Sequence, residues 1–200
     1  SKNQAVLTVN PDTFQKHLEY LQAKGYTPVA MTDLINFFNS AIPLPAKSVL
    51  LTFDDAYADF SIYAATLLQQ FSFKATIFVP TGLLENPDYL TWNDITNLAG
   101  SGLFLFANHT WSHKNVASAQ VVVESEITTA DNQLLSRNLN SPKIFAYPYG
   151  IPGNYAKTLL QNLSYQLAFT TQPGRILCAK QRLTLPRIRI GNSDLSNYGL

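Results

Sequence analysis

Short apolar runs alternate with segments of helical periodicity along almost the whole chain. The pattern predicts strands at residues 28–31, 48–53, 75–79, 103–107, 143–147, 166–170 and 186–190, and helices at residues 12–24, 32–39, 57–71, 93–100, 116–139 and 154–162. Strands that alternate with helices at this spacing favour a parallel sheet built from βαβ units. We therefore expect an α/β fold in a single domain, residues 1–200, arranged as a small, incomplete (β/α) barrel of about seven strands. A doubly wound open sheet is the alternative.

Charge and composition narrow the classes of partner. The chain carries 14 basic and 13 acidic residues, for a formal net charge of +1, and only 14% of its residues are charged. This balance gives no electrostatic footprint for nucleic acid or for an anionic membrane. No run approaches the eighteen apolar residues of a transmembrane segment. A neutral partner is expected.

Two adjacent carboxylates, Asp54 and Asp55, follow the apolar run that ends at Phe53. They are costly to ionise together beside a buried strand unless a cation or hydrogen-bond donors compensate their charge. One carboxylate could bind a metal ion while its neighbour accepts a proton. Capping of the following helix, near Ala58, is an equally ordinary function for such a pair.

Two of the three histidines, His109 and His113, stand four residues apart just after the strand predicted at residues 103–107. If the segment is helical, this spacing puts both imidazoles on one face, which is a common way to present two nitrogens to one metal ion. A lone histidine would more often be structural. The pair favours a metal site.

A third segment, Tyr147-Pro148-Tyr149-Gly150, also follows a predicted strand. Proline and glycine fix the shape of a turn, which could direct a backbone N–H at a substrate oxygen while the tyrosines stack on a sugar ring. Alone, the segment is typical of an aromatic-rich loop. Its position at the same end of the sheet as the two other candidates indicates a site.

Together, one aspartate and two histidines with open coordination positions would bind a divalent ion and lower the pKa of its bound water. The second aspartate could then deprotonate that water as it attacks a carbonyl. The ion and a backbone N–H would stabilise the oxyanion. The predicted chemistry is metal-assisted hydrolysis of an amide or an ester.

At these residues the sequence resembles the polysaccharide deacetylases, carbohydrate esterase family four, also called the NodB-homology domain. Residues 52–55 resemble the first family motif, residues 109–113 the second and residues 147–150 the third. The resemblance implies a distorted (β/α) barrel that removes acetyl groups from N-acetylated sugars. It also implies that Asp54 is the general base and that the Tyr149 backbone N–H helps form the oxyanion hole. The implied metal ligands are Asp55, His109 and His113; the ion is usually zinc (Zn²⁺), with Co²⁺, Ni²⁺ or another divalent ion as alternatives.

Further stretches, residues 14–29 and 185–188, resemble deacetylases of the biofilm polymer poly-β-1,6-N-acetylglucosamine. An N-acetylated polysaccharide is therefore the expected partner, and chitin-like or peptidoglycan glycans are the alternatives. Such glycans place the protein in an extracellular, cell-surface or periplasmic location. Expected contacts with the glycan involve Tyr147, Pro148, Trp111, Arg187 and Leu185.

Departures from the family pattern predict low activity. Ala56 replaces a glycine, and its methyl group restricts the backbone. Ala146 stands where an arginine often orients the base; Arg187 could pair with Asp54 instead, although a structural salt bridge is the commoner function. The late Leu-x-His motif, which supplies a general acid, has no match, and the remaining histidine, His17, lies on the first predicted helix. The chain also begins where the family's first strand would be ending, so we expect the natural protein to extend upstream.

Three other functions fit parts of the pattern. The missing arginine and late histidine would suit a glycan-binding relative without activity. An esterase that acts on O-acetyl groups of a xylan-like glycan would use the same residues. Two histidines and one carboxylate also form the site of iron oxygenases, although the β/α alternation argues against that fold.

Overall fold

The fold is that of a computed structural model that describes residues 8–200; the first seven residues of the predicted domain lie outside the described residues. The described residues form a curled, parallel five-stranded sheet from the last five strands and a separate parallel pair from the first two. Each strand of the larger sheet pairs with the next one along the chain. That order is typical of a barrel and differs from the reversed order of a doubly wound sheet. The predicted α/β class is confirmed, as a half-barrel.

The strands are β1 Thr27–Pro28, β2 Ser48–Val49, β3 Thr52–Phe53, β4 Ala75–Val79, β5 Phe104–Asn108, β6 Ile144–Ala146 and β7 Leu167–Phe169. The helices of the described residues are α1 Pro11–Ala23, α2 Met31–Ser40, α3 Ala65–Gln70, α4 Trp92–Ala99, α5 Gln120–Leu135 and α6 Asn154–Asn162. A π-helical turn, Phe60–Ala64, precedes α3. The bounds of β4 and α6 are those predicted from the sequence.

Strand β4 shows how the sheet buries both of its faces. All five of its residues are buried, which is typical of a strand covered on both sides. Ile77 and Val79 point to one face and pack in a cluster that includes Leu68 and Ile95 from the helices. Phe78 points to the other face and packs in a different cluster. The sheet is thus fixed between two apolar layers.

Two predicted strands differ from the structure. The run at residues 48–53 is divided, because β2 pairs with β1 whereas β3 pairs with β4. The strand predicted at residues 186–190 is wrong: only Leu185 forms a bridge, to Phe169, and the next residue is a proline. Beyond that bridge the Arg187 N–H donates to the Gln172 carbonyl at 2.9 Å, in the loop after β7, so residues 186–190 do not extend the sheet.

Most helix starts also differ from the predicted bounds: α1, α2 and α4 begin one residue earlier and α5 begins four residues later. Helix α2 begins at Met31, after Ala30, because the Asp33 carboxylate accepts the Ala30 N–H at 2.8 Å. The helix predicted from Tyr57 begins as the π-helical turn at Phe60. Among the described residues, none of the helices combines the length and apolar character that crossing a bilayer requires.

Candidate metal centre

Three loops meet at the carboxyl edge of the parallel sheet. Asp54 and Asp55 follow β3, His109 follows β5, and Tyr149 lies in the short 3₁₀ turn that follows β6. Because parallel strands all end at the same edge, segments far apart in sequence converge there. The loops therefore bring the three predicted motifs into one region.

Asp55, His109 and His113 form a group whose donor atoms all lie within 4.8 Å of one another. The Asp55 Oδ1 atom is 3.2 Å from His113 Nε2 and 3.6 Å from His109 Nε2. Two ligands of a tetrahedral zinc ion with bonds of about 2.1 Å are separated by about 3.4 Å. The spacing of the donors therefore suits a small divalent ion.

A backbone hydrogen bond orients His109. Its Nδ1 atom lies 2.8 Å from the carbonyl oxygen of Ala146, at the end of β6, so the proton belongs on Nδ1 and Nε2 is free to face Asp55. The ring is 1% exposed, and this burial lowers the pKa of His109 more than the neighbouring carboxylates raise it. The imidazole is therefore neutral at pH 7, which is the form that binds metals.

The segment that carries both histidines is a loop and not a helix, so the expected helical presentation is wrong. Thr110 has a φ of 69° and His113 a φ of 58°, both in the left-handed region. At the start of the loop, the Asn108 side chain accepts the Thr110 N–H at 2.8 Å. Two left-handed residues turn the chain so that the second histidine comes back towards the first.

The loop after β3 contains a second pair of left-handed residues, Asp55 with φ 73° and Ala56 with φ 53°. Ala56 adopts this conformation although it replaces a glycine of the family pattern. Its carbonyl accepts the Leu90 N–H at 2.9 Å, which fixes the turn. The alternative function of a helix cap is wrong, since the Ala58 N–H donates to the Asp88 carbonyl.

Asp54 is held by Arg187, which lies 133 residues further along the chain. The guanidinium donates to both carboxylate oxygens, at 2.7 Å and 2.8 Å, and its Nε donates to the Thr170 carbonyl at 2.9 Å. The commoner function weighed for Arg187, a salt bridge elsewhere, is therefore wrong. The pairing with Asp54, the less common of the two functions considered from the sequence, is the one observed.

The arginine also sets the charge of Asp54. Burial has the largest single effect and raises the pKa of the Asp54 carboxyl, and the Arg187 guanidinium is the strongest of the groups that lower it. His109 and Arg189 lower it further, so the pKa lies below its ordinary value. Asp54 is therefore ionised at neutral pH, next to the group that could hold a metal.

Two aromatic side chains around the triad reach solvent. The Tyr149 side chain is 61% exposed, and its ring packs edge to face on His113 with centroids 4.9 Å apart. Trp111 is 42% exposed, and its indole lies against Gly82, where an added Cβ would be 2.4 Å from Nε1. Both are placed where a bound glycan could contact them.

Three other expected glycan contacts are buried. Tyr147 is 1% exposed, packs on Phe145, and donates its hydroxyl to the Leu183 carbonyl at 2.9 Å. Leu185 is buried in the core, and Pro148 is buried as well. These three side chains lie away from the surface, and their contact with a glycan stays a prediction.

The donor set fits a divalent ion. One carboxylate oxygen and two imidazole nitrogens form the mixed set that zinc and similar ions prefer, and three protein ligands leave room for a water or a substrate. The hydrogen bond that orients His109 is of the kind that supports metal ligands in proteins. Oxygen and nitrogen donors do not by themselves select one divalent ion.

Comparison with known proteins agrees with this geometry. The profile of the polysaccharide deacetylase family matches residues 41–168, which include Asp54, Asp55, His109, His113 and Tyr149. The poly-beta-1,6-N-acetyl-D-glucosamine N-deacetylase of Escherichia coli (strain K12) is 23% identical over 96% of this chain. The chain spans only 35% of the length of that relative.

Solved structures share the fold. The Streptococcus pyogenes deacetylase PplD, in complex with acetate, superposes with a TM-score of 0.88 at 29% identity, over 96% of this chain and 86% of that one. IcaB from Ammonifex degensii superposes with a TM-score of 0.82 at 22% identity, over 92% of this chain and 84% of that one. The family profile matches more than half of this chain. The chain therefore belongs to the polysaccharide deacetylase family.

Proposed function

We propose that the protein is a metal-dependent hydrolase that removes N-acetyl groups from a polysaccharide containing N-acetylglucosamine. The observation that carries this proposal is the convergence of the Asp55, His109 and His113 donors beside an ionised Asp54. Zinc is the proposed ion, and cobalt or nickel would fit the same donors.

A bound ion would supply a water of lowered pKa and a positive charge for the carbonyl oxygen of the acetyl group. Asp54 is proposed as the general base, which accepts the proton of the attacking water on a carboxylate oxygen. Arg187 binds both of those oxygens, so it keeps the base ionised and fixed in direction. The backbone N–H of Tyr149 is proposed to donate to the oxyanion.

The proton for the leaving amine has no obvious donor. His17, the histidine outside the metal group, lies on α1, and its Nε2 atom is 2.9 Å from the Ser193 carbonyl. Once Asp54 has accepted a proton, it could return that proton to the amine. A single group that serves first as base and then as acid is consistent with a slow enzyme.

The nature of the substrate rests on the relatives and on the exposed aromatic residues. The E. coli relative is named for poly-β-1,6-N-acetyl-D-glucosamine, and we propose the same class of polymer for this chain. Tyr149 and Trp111 offer rings at the edge of the metal group on which a sugar could stack. A polymer of this kind implies a location at the cell surface, in the periplasm or outside the cell.

Acetate release from oligomers of N-acetylglucosamine tests the proposal. The wild-type chain loaded with zinc is expected to release acetate, and D54N is expected to lose at least about 100-fold in rate, since a general base contributes about 10²–10⁴-fold. D59N, in an exposed aspartate of the same segment, is the matched control and should retain activity. Full activity of D54N, or of the protein after removal of the metal by a chelator, would contradict the mechanism.

The same assay separates the alternatives. Acetate release from acetylated xylan, without release from the N-acetylglucosamine oligomers, would show that the protein is an O-acetyl esterase. Oligomer binding without acetate release under zinc, cobalt or nickel would assign a glycan-binding relative, for which the absence of a late histidine is the supporting observation.

A further inference from the structure

A buried carboxylate lies directly behind the loop that carries the two histidines. Glu126, on α5, is 3% exposed. A buried carboxylate is costly unless it is well hydrogen-bonded, and it is retained where those bonds serve a purpose. The mechanism proposed above makes no use of this residue.

Both oxygens of Glu126 are directed at one residue of the loop. The Ser112 backbone N–H donates to Oε2 at 2.7 Å, and the Ser112 hydroxyl donates to Oε1 at 2.6 Å. The nearest charged partner, Lys114 Nζ, is 3.9 Å away on a side chain that is 61% exposed, and so it is a weak partner. Ser112 therefore supplies the main compensation for the buried charge.

Ser112 stands between the two strained positions of the loop. Thr110, with φ 69°, precedes it, and His113, with φ 58°, follows it directly. Side chains larger than glycine adopt such angles at a cost of about 1 kcal/mol or more, and they persist only where the surroundings hold them. Bonds to both the N–H and the hydroxyl of Ser112 fix the peptide that leads into His113.

The same helix holds the start of the loop. The Asn108 amide, which accepts the Thr110 N–H through its oxygen, donates to the Ile127 carbonyl at 3.1 Å and to the Tyr165 hydroxyl at 2.7 Å. Ile127 is the neighbour of Glu126 on α5. The helix therefore contacts the loop at two points, one on each side of Thr110.

We propose that Glu126 is a positioning residue for the metal site: by accepting both hydrogen bonds of Ser112, it holds the loop in the conformation in which His113 faces Asp55. This inference rests on the metal site of the proposed function, but it does not depend on the identity of the substrate. Glu126 contacts neither the ion nor the glycan and acts through His113.

The affinity for Zn²⁺ alone, measured by competition with a chromogenic chelator, tests the proposal without any substrate. In E126Q one carboxylate oxygen becomes an NH₂ group, which can only donate, so the charge-assisted bond from the Ser112 hydroxyl is replaced by a weaker, reversed one. We expect the dissociation constant to rise about 10- to 100-fold, as is usual when a partner of a metal ligand is changed. E124Q is the matched control: it removes the same charge from the same helix, at an exposed residue whose side chain accepts the Tyr155 hydroxyl, and the affinity of this variant for Zn²⁺ should be unchanged.

A second variant acts from the other side of the contact. S112A removes the hydroxyl, keeps the backbone N–H, and changes no core residue, so it remains informative if E126Q does not fold. It should weaken zinc binding by less than E126Q, and the double variant should bind no more weakly than E126Q, because both changes break the same contact. Activity should return at high zinc concentration in both single variants.

Three outcomes would overturn the proposal. Wild-type affinity in E126Q and in S112A would show that the contact does not position His113. Equal losses in E124Q and E126Q would assign the effect to net charge. A wild-type chain that binds no Zn²⁺ would overturn the metal site as well, whereas Zn²⁺ binding without acetate release would overturn only the proposed function.

Discussion

At the scale of single residues, the contact with Arg187 keeps Asp54, the proposed base, ionised and fixed in direction. Position 146, where the family pattern leads us to expect an arginine, is alanine in this chain, and a guanidinium reaches the carboxylate from the segment after β7 instead. The bidentate geometry fixes both the charge and the direction of Asp54. A charge at this point in space can thus be supplied from a different point in the sequence.

R187A is expected to lower the rate of acetate release by about 100-fold, since small misplacements of a catalytic group cost about that much. The variant also removes the charge that lowers the pKa of Asp54, so that pKa should rise. Because the base must be ionised, the acidic limb of the pH–rate profile should move to higher pH. Rates measured from pH 4 to pH 8 check both effects.

R182A is the control for this change. Arg182 binds the Asn39 side chain at 3.0 Å, on a different part of the surface, so its removal should leave the profile in place. R187K keeps the positive charge but loses the bidentate contact with Asp54. We expect its pH profile to match that of the wild type, while its rate stays below the wild-type rate. An unchanged acidic limb in R187A would contradict the function given to Arg187.

At the scale of elements, the connection between β5 and α5 packs closely on the start of α6. Gly153, which precedes α6, faces the Val116 carbonyl, and a Cβ added to it would lie 2.2 Å from that oxygen. The atoms nearest to such a Cβ all belong to the backbone, so no side chain could rotate away to make room for it. The absence of a side chain at Gly153 therefore sets the distance between this helix and the histidine-bearing segment.

G153A is expected to lower the free energy of unfolding by about 1–3 kcal/mol, the usual cost of forcing extra volume into a packed contact. Urea unfolding followed by circular dichroism measures the change. G100A is the control, because an added Cβ at Gly100 meets no atom closer than 3.4 Å and φ is an ordinary −60°. A G153A variant as stable as G100A would show that the two segments separate at little cost.

At the scale of the whole molecule, the sheet joins ligands from separate βα units into one site. An ion that binds the folded chain and not the unfolded one stabilises the fold in proportion to the logarithm of its concentration. Zn²⁺ at 100 times its dissociation constant should add about 2.7 kcal/mol to the free energy of unfolding. Thermal unfolding with and without Zn²⁺ measures this gain.

H113N should abolish the zinc-dependent part of the stability, whereas H17Q should keep it, because His17 contacts the Ser193 carbonyl and is not part of the triad. The comparison uses the increment that the ion adds and not the absolute stability, so a structural cost of either substitution cancels. If Zn²⁺ still increases the free energy of unfolding of H113N, the ion binds at another site.

The sequence predicts the class of fold well because the periodic segments are decisive. Ala75–Val79 and Asn154–Asn162 have the predicted bounds, since local pattern and burial agree there. Residues 48–53 and 186–190 were predicted wrongly, because the partner with which a strand pairs is set by the tertiary fold. Periodicity describes how one segment meets the core and not which neighbour it joins.

The site likewise combines features that the sequence indicates with features that depend on the folded chain. The spacing of His109 and His113 marks a candidate pair, but the left-handed turn between them cannot be inferred from the spacing, because helix and loop both allow it. Arg187 has no local signal, as its contact with Asp54 depends on the whole sheet being formed. Glu126 has none either, since a glutamate within a helix is ordinary until its burial is known.

The strand order has a consequence for when the ion can enter. Asp55 follows β3 and the two histidines follow β5, and β4 lies between those strands in the sheet. The carbonyl that orients His109 belongs to the end of β6. A nascent chain whose sheet stops short of β6 lacks that support, so the proposed ion is expected to bind tightly only after β6 has joined the sheet.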